Sequence, residues 1–321
     1  MRLLVASPIH EAALAALQAE HDVRLAIGAP EAELAAAATD REAIIFRSGV
    51  TIGAEALGAP GLRLLVRAGS GLDNLDLELV KRRGIELHRI PGPGAQAVAE
   101  LTFGLMLGLA RGIVQADRQL RAGHWIKSEL VGYNLRGKRL GIVGLGSIGT
   151  RVAQLGLAWG MRPLGCVDRP TDERRASFAA QGIDLVDFDQ VLAEGDFVSI
   201  HVPLGSATRN LFGAAELALM KPGAYLVNIA RGGVVDEAAL LEALVPRGHL
   251  RGAALDVHVA EGEGKVSPLA DLPNVILTPH IGAQTIDAQE EIGREIVAII
   301  GRFGGTAEDQ STMSNSAGAP S

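Results

Sequence analysis

Three glycines at fixed spacing are the first residues in this chain whose types point to a chemistry. Gly144-Leu145-Gly146-Ser147-Ile148-Gly149 follows the apolar run Leu140-Gly141-Ile142-Val143 and opens Thr150 to Trp159, a segment of helical spacing. In a strand, loop, helix context each glycine has a task. Gly144 permits the tight turn, Gly146 lets the main chain approach a diphosphate, and Gly149 lets helix and strand pack closely. The helix N-terminus then offers unpaired amides and a partial positive charge to the phosphates. The next apolar run, Pro163 to Val167, ends in Asp168, at the spacing where an acid grips an adenosine ribose. Together these features predict a dinucleotide site. An acid at 168 repels a 2′-phosphate and favours NAD over NADP, while the guanidinium of Arg169 beside it would attract that phosphate.

The elements that must carry this loop alternate along the chain. Short apolar runs at Leu3 to Ala6, Val23 to Ile27, Ala43 to Phe46, Leu62 to Val66 and Ile85 to His88 are separated by longer segments of helical spacing. That rhythm predicts a parallel sheet with helices on both faces. Pro91-Gly92-Pro93-Gly94 punctuates the chain as a boundary, and a long apolar helix is expected from Ala95 to Arg111. A second series runs through Arg139 to Val143, Pro163 to Val167, Phe197 to Val202, Ala224 to Ile229, Gly252 to Asp256 and Val275 to Thr278, and reads as a second doubly wound domain. A helix over 286–303 follows, and residues 304–321, rich in Gly, Ser, Thr and Ala, are expected to be a disordered tail.

Composition narrows the function classes. A hydrophobic share of 48% with 21% charged residues is that of a globular protein, and 321 residues suffice for two cores. The net charge of -7 gives no bulk attraction to nucleic acid or to an anionic membrane surface. An anionic ligand would therefore need locally placed Arg or Lys. The single cysteine, Cys166, precludes an internal disulfide and a cysteine-built metal cluster, and no metal is expected. No apolar run reaches the length of a membrane span, so a soluble, cytoplasmic protein is expected.

Beyond the glycine loop, further strings become recognisable. They are Arg67-Ala68-Gly69-Ser70-Gly71-Leu72-Asp73-Asn74, Asn228-Ile229-Ala230-Arg231-Gly232-Gly233-Val234-Val235-Asp236, Ala254-Leu255-Asp256-Val257 and Pro279-His280-Ile281-Gly282-Ala283. With these the sequence resembles the D-isomer-specific 2-hydroxyacid dehydrogenases from about Arg47 to Gln289, and looks closest to their phosphoglycerate dehydrogenase branch, in a short form without its regulatory domain. The resemblance implies an α/β fold of two doubly wound parallel-sheet domains. A Rossmann-type NAD-binding domain, 94–283, would be inserted in a smaller flavodoxin-like substrate domain, 1–93 and 284–303.

The same resemblance implies the chemistry. Arg231, Glu261 and His280 match the family's catalytic set: His280 as acid/base, Glu261 as the carboxylate on its other ring nitrogen, Arg231 as a fork for the substrate carboxylate. Glu261 rests on its offset from Asp256, and Gly262 replaces the usual proline after it, which leaves Glu263 as a weaker rival. His258 stands where the family usually has an aromatic and is expected to pack; His201 is expected to line the cofactor through its backbone. Ser70, Ser147, Ile148, Val202, Ile229, Ala230, Asp256 and Ala283 correspond to cofactor contacts, with Arg231 and His280 beside the nicotinamide.

For the substrate, Arg47-Ser48, Asn74 and Lys127 match binding positions, and three cations, Arg47, Lys127 and Arg231, favour a small anionic 2-hydroxy or 2-oxo acid such as 3-phosphoglycerate and 3-phosphohydroxypyruvate. Hydroxypyruvate or glyoxylate reduction is the alternative, and a dinucleotide-sensing corepressor-like protein is the non-catalytic one. Formate enzymes favour Gln before the catalytic His, and Pro279 argues against that chemistry. Relatives pair through their nucleotide domains, so a homodimer is expected.

Overall fold

The computed structural model describes residues 1–72, 74–245 and 248–315; Asp73, Pro246, Arg247 and residues 316–321 lie outside the described residues. The chain divides into two compact units. One comprises Met1–Gly94 with the segment from Ala283 onward, the other Ala95–Gly282.

In the first unit, β1 (Arg2–Val5), β2 (Asp22–Leu25), β3 (Ala43–Phe46), β4 (Leu64–Arg67) and β5 (Glu86–Arg89) form one sheet in the order β2-β1-β3-β4-β5, with every pairing parallel. This is the flavodoxin-like order. Strands covered on both faces read as unbroken apolar runs, as β3 does with Ala43, Ile44, Ile45 and Phe46 all buried. Successive side chains supply opposite faces. Leu4, Ile44, Phe46 and Leu65 pack with Leu34, Leu57 and Val80, whereas Leu3, Val5, Ile45 and Val66 pack with Leu17, Ile292, Ile296 and Ile300.

The last three belong to the helix Ile286–Asn315, which walls this second core and packs on the helix Glu11–Glu20. That helix departs from expectation at its end. The sequence places its close at Phe303, yet the backbone stays helical to Asn315, so the first part of the expected tail is ordered as helix and the remainder lies outside the described residues. Once the buried isoleucine turns have nucleated a helix, each added residue needs only propagation.

In the second unit, β6 (Arg139–Val143), β7 (Arg162–Cys166), β8 (Asp184–Leu185), β9 (Phe197–Ile200), β10 (Tyr225–Asn228), β11 (Gly252–Leu255) and β12 (Val275–Leu277) are all parallel in the order β12-β11-β10-β9-β6-β7-β8. β6 pairs with β7 on one side and β9 on the other, so the winding reverses there. Ligands of doubly wound sheets bind beyond the carboxyl ends of the strands at such a switch point. The two-residue β8 was not expected, since it carries no apolar run. The helix Gly92–Arg111 begins inside the Pro-Gly punctuation, because Pro93 in a first turn loses no intrahelical hydrogen bond. Among the described residues, no single helix is long and apolar enough to cross a membrane.

Candidate active site

The glycine loop leaves β6 at the switch point and enters the helix Ser147–Ala158. Gly144 has φ +100°, and a Cβ there would lie 2.7 Å from the His201 carbonyl oxygen. At Gly149 a Cβ would come within 2.1 Å of the Gly144 carbonyl oxygen, so both positions are closed to any side chain. Gly146 is the opposite case: it is the N-cap residue, exposed, and nothing lies within 4 Å of where its Cβ would be. No side chain caps this helix, so the first-turn amides near Ser147, Ile148 and Gly149 face that open space. An uncapped helix start behind an open glycine is a cradle for a diphosphate. Val202 borders it, with Cγ1 3.0 Å from a Cβ at Gly144.

At the end of β7, Asp168 and Arg169 are 93% and 91% exposed, and Arg169 Nε lies 3.5 Å from Asp168 Oδ2. The arginine thus leans on the acid expected at the ribose. Replacing Asp168 by Ala removes the repulsion of a 2′-phosphate and releases Arg169, so the ratio of NADPH to NADH affinity is expected to rise by about tenfold or more, read by fluorescence titration with each nucleotide. An unchanged ratio places the ribose elsewhere.

The residues expected to carry the proton chemistry come from the ends of β10, β11 and β12. Asn228, 1% exposed at the end of β10, accepts from the Ala230 N–H through Oδ1 and donates through Nδ2 to the Arg231 carbonyl, which shapes the Ile229-Ala230-Arg231 turn. Arg231 donates to the Ala230 carbonyl at 2.6 Å. Gly232 sits against the next strand's exit: a Cβ there would be 1.8 Å from the His258 carbonyl oxygen. On that exit, the Val259 N–H donates to Oε1 of the buried Glu237 at 2.8 Å.

His280 Nδ1 donates to Glu261 Oε2 at 3.0 Å, and the other carboxylate oxygen, Oε1, accepts from the His258 N–H at 3.1 Å. Partial burial pushes the Glu261 carboxyl up, but the His280 hydrogen bond and charge, with the His258 amide and charge, outweigh it and hold the carboxyl below its ordinary value. Glu261 thus stays ionised, which is what an imidazolium partner requires. The folded chain then binds fewer protons at this site than the unfolded chain as pH drops below about 4.5, so the stability that the pair contributes is present above that pH and lost as pH falls through the depressed value. Urea titrations from pH 6 to pH 3 are expected to lose less stability in Glu261→Gln than in the wild type.

His280 has φ +54°, an uncommon conformation for a residue other than glycine, and its N–H donates to the Thr278 carbonyl across Pro279. Asp256, wholly buried, holds the rest of this loop: Oδ1 accepts from Thr278 Oγ1 at 2.6 Å and the Ile281 N–H at 2.9 Å, and Oδ2 accepts from the Gly282 N–H at 2.8 Å. Strain at 280 persists because these bonds over-determine it.

Residues 103–282 match the family model described as D-isomer specific 2-hydroxyacid dehydrogenase, NAD binding domain. The chain belongs to the D-isomer specific 2-hydroxyacid dehydrogenase family. It is 39% identical to the D-3-phosphoglycerate dehydrogenase of Methanocaldococcus jannaschii over 98% of this chain and 60% of that protein. It is 40% identical to the hydroxypyruvate reductase of Thermotoga maritima over 80% of this chain and 82% of that one. The solved D-lactate dehydrogenase from Aquifex aeolicus, complexed with NAD and lactic acid, superposes with a TM-score of 0.83 at 31% identity and covers 96% of this chain and 97% of that chain. The chain spans 55% to 60% of the length of the first curated phosphoglycerate dehydrogenases that it matches. The family that the sequence motifs resemble is the one these matches establish, and the cofactor of its nucleotide domain is NAD.

The other expected site residues have varied settings. Gly144, Gly146, Ser147, Ile148, Gly149, Asp168, Val202, Ile229, Ala230, Arg231, Asp256, Glu261 and His280 all lie in the second unit, at the carboxyl ends of its strands. Glu263 has no bond to His280, which leaves Glu261 as the partner. Both Asp256 oxygens accept from the 278–282 loop, so this residue, expected at the cofactor, also holds that loop. His201 donates its N–H to Val143 and carries its ring inside, beside Ser199, where burial pushes it down to about 3 and keeps it neutral. Lys127 is exposed and unpaired among the described residues.

Ser70, Arg47, Ser48, Asn74 and Ala283 belong to the first unit. Ser48 and Ser70 are exposed at the ends of β3 and β4. Arg47 is pulled below the ordinary arginine value by burial, with Nη1 3.4 Å from Gln284 Oε1. The Arg47 N–H donates to the buried Ser7 hydroxyl. Asn74 donates Nδ2 to the Val50 and Arg47 carbonyls while its Oδ1 is buried, so it supports the Arg47-Ser48 turn from beneath. Sequence reasoning missed Asn228, Glu237 and Arg67; the last is buried and donates to the Ala68 and Gly71 carbonyls around the Ser70 turn. Asn228 begins one of the matched strings and Arg67 another, the one signal that could have singled them out. Among the described residues, no cluster of His, Cys, Asp or Glu has the make-up of a metal site.

Proposed function

We propose that this chain is an NAD-dependent D-2-hydroxyacid dehydrogenase that interconverts a small anionic 2-hydroxy acid and its 2-oxo acid, with 3-phosphoglycerate and 3-phosphohydroxypyruvate as the first candidate pair. The observation that carries the reading is the His280–Glu261 bond of 3.0 Å, in a unit that matches an NAD binding domain. When bound, the nicotinamide supplies the hydride acceptor for oxidation and, reduced, the hydride donor for the reverse. With Nδ1 committed to Glu261, His280 has Nε2 for the proton that the substrate hydroxyl loses as its alpha carbon gives up hydride, and returns that proton in the reduction. Glu261 fixes the tautomer and balances the imidazolium. Arg231 binds the substrate carboxylate and polarises the neighbouring carbonyl. Arg47 and Ser48, with Lys127 as a further cation, bind the phosphate end; Ser70 and Ala283 contact the cofactor.

Hydroxypyruvate is the second candidate substrate, favoured by the 40% identity to a hydroxypyruvate reductase. A panel of 3-phosphohydroxypyruvate, hydroxypyruvate and glyoxylate, each followed by loss of NADH or NADPH absorbance, ranks the two by kcat/KM. A corepressor-like sensor would bind NADH and turn over none of them.

The protein acts as a cytoplasmic homodimer in this reading. The helix Ile113–Arg121 buries none of its residues, and Ile113, Leu120, Trp125 and Val131 are all more than half exposed. A second copy covering these apolar side chains accounts for a surface that one chain leaves in water. Sedimentation equilibrium is expected to return twice the chain mass, and Leu120→Asp to shift it toward the monomer.

A further inference from the structure

We propose that His258 is a positioning residue for the proton-transfer pair, tying the His280 turn and Glu261 into one geometry; this rests on the dehydrogenase reading of the site. A carbonyl oxygen only accepts, so at 3.0 Å the His258 Nε2–H must donate to the Thr278 carbonyl. That oxygen also accepts the His280 N–H at 3.1 Å. Its two lone pairs are thus divided between the ring of 258 and the backbone of 280. The backbone N–H of His258 donates in turn to Glu261 Oε1 at 3.1 Å, while Oε2 takes His280 Nδ1. One residue therefore contacts both halves of the pair, by its ring on the histidine side and by its main chain on the carboxylate side.

The unused nitrogen gives a second, independent reason. His258 Nδ1 is buried with no hydrogen-bond partner among the described residues. Burying a bare acceptor is unfavourable, and a ring present only to fill space would be better as a hydrocarbon. What the imidazole adds over such a ring is the donation to Thr278. The turn that receives it needs support, because His280 holds φ +54° and would relax on losing a bond that defines it. The charged groups on the segments packed around His258 are Glu261 and His280, the buried Asp256, and Glu237, which accepts from the Val259 N–H. Arg231 precedes the glycine that lies on the His258 carbonyl.

The test compares His258→Phe, which keeps a ring and loses the donor, with His258→Gln, whose amide nitrogen reaches where Nε2 stands. In the wild type, turnover of the oxo-acid panel and its loss in His280→Ala first establish the reaction itself. His258→Phe is then expected to lower kcat by roughly 10- to 100-fold, with NADH affinity and melting temperature close to wild type, since small misplacements of a reacting group have costs of this size. His258→Gln is expected to recover kcat to within about threefold of wild type. Should His258→Phe fail to fold, His258→Asn, whose amide stops at the Nδ1 position, carries the same expectation. A histidine NMR spectrum reads the geometry without turnover: the His280 Nδ1–H signal, protected by its bond to Glu261, is expected to be lost to solvent exchange in the donor-less variant and kept in His258→Gln, because the turn that loses the ring donor no longer holds His280 against the carboxylate. Wild-type kcat in the donor-less variant, equal loss in His258→Gln, or an unchanged His280 Nδ1–H signal would overturn the proposal. Absence of turnover in the wild type would sink the dehydrogenase reading alone and leave the NMR result to decide the role of His258.

Discussion

Replacing His280 by Ala is expected to lower kcat for oxo-acid reduction by about 10²- to 10⁴-fold, the range that a positioned general acid or base contributes. The NADH dissociation constant should stay within about twofold of wild type, because the diphosphate cradle lies on β6 and the histidine on the turn after β12. The residual rate should also lose the limb of the pH profile that the imidazole controls. Stopped-flow absorbance at 340 nm and fluorescence titration measure the two quantities on one preparation. A variant that turns over at wild-type speed would remove His280 from proton transfer, and one that loses NADH binding as well would recast it as a structural residue. Glu261→Gln is a milder version of the same experiment, since it keeps a hydrogen-bond acceptor on His280 Nδ1 and removes only the charge.

Two alanine substitutions in the glycine loop are expected to separate folding from cofactor binding. At Gly149 the added methyl meets the Gly144 carbonyl oxygen at 2.1 Å, an atom of the main chain that no side-chain rotation can clear, so the loop itself must move. Overpacking of this kind costs about 1–3 kcal/mol and should lower the melting temperature by roughly 2–10 °C. NADH binding should weaken in parallel, because the displaced loop is the cradle. At Gly146 nothing lies within 4 Å of the same methyl, so the melting temperature without ligand should hold. The methyl instead occupies the space that a diphosphate needs, and NADH affinity should fall by about tenfold or more at unchanged fold stability. Thermal melts with and without saturating NADH distinguish the two. If Gly146→Ala binds NADH as tightly as wild type, the diphosphate does not lie against that residue.

Much of this architecture was legible as periodicity. β3 and β6 fall on the same residues in sequence and structure, since apolar runs such as Ala43 to Phe46 have a single low-energy use in a layered protein, as strands covered on both sides. The two-residue β8 was not legible, because an edge strand of that length buries too little to need a pattern. The start of the helix Gly92–Arg111 was misjudged for a related reason: proline and glycine mark a break in the statistics, but the local physics permits them in a first helical turn.

At the candidate site, His280, Glu261 and Arg231 were singled out by motif and offset, and the structure supplies the bond that joins the first two. It also separates residue types from tasks. Asp256 and Asn74, expected at ligands, also hold loops of their own unit through their side chains. His258 was expected to pack, with the cleft as the lesser alternative, and it hydrogen-bonds the turn beneath His280.

The order of residues alone determined which groups this protein has for chemistry: an acid after β7, glycines where no side chain fits, an imidazole, a carboxylate and a guanidinium at the ends of later strands. Partnership among them was decided only when parallel strands far apart in sequence brought their carboxyl ends together. A hydrogen bond depends on distances of a few tenths of an ångström and on direction, and these are properties of packed backbone that no spacing along a chain encodes.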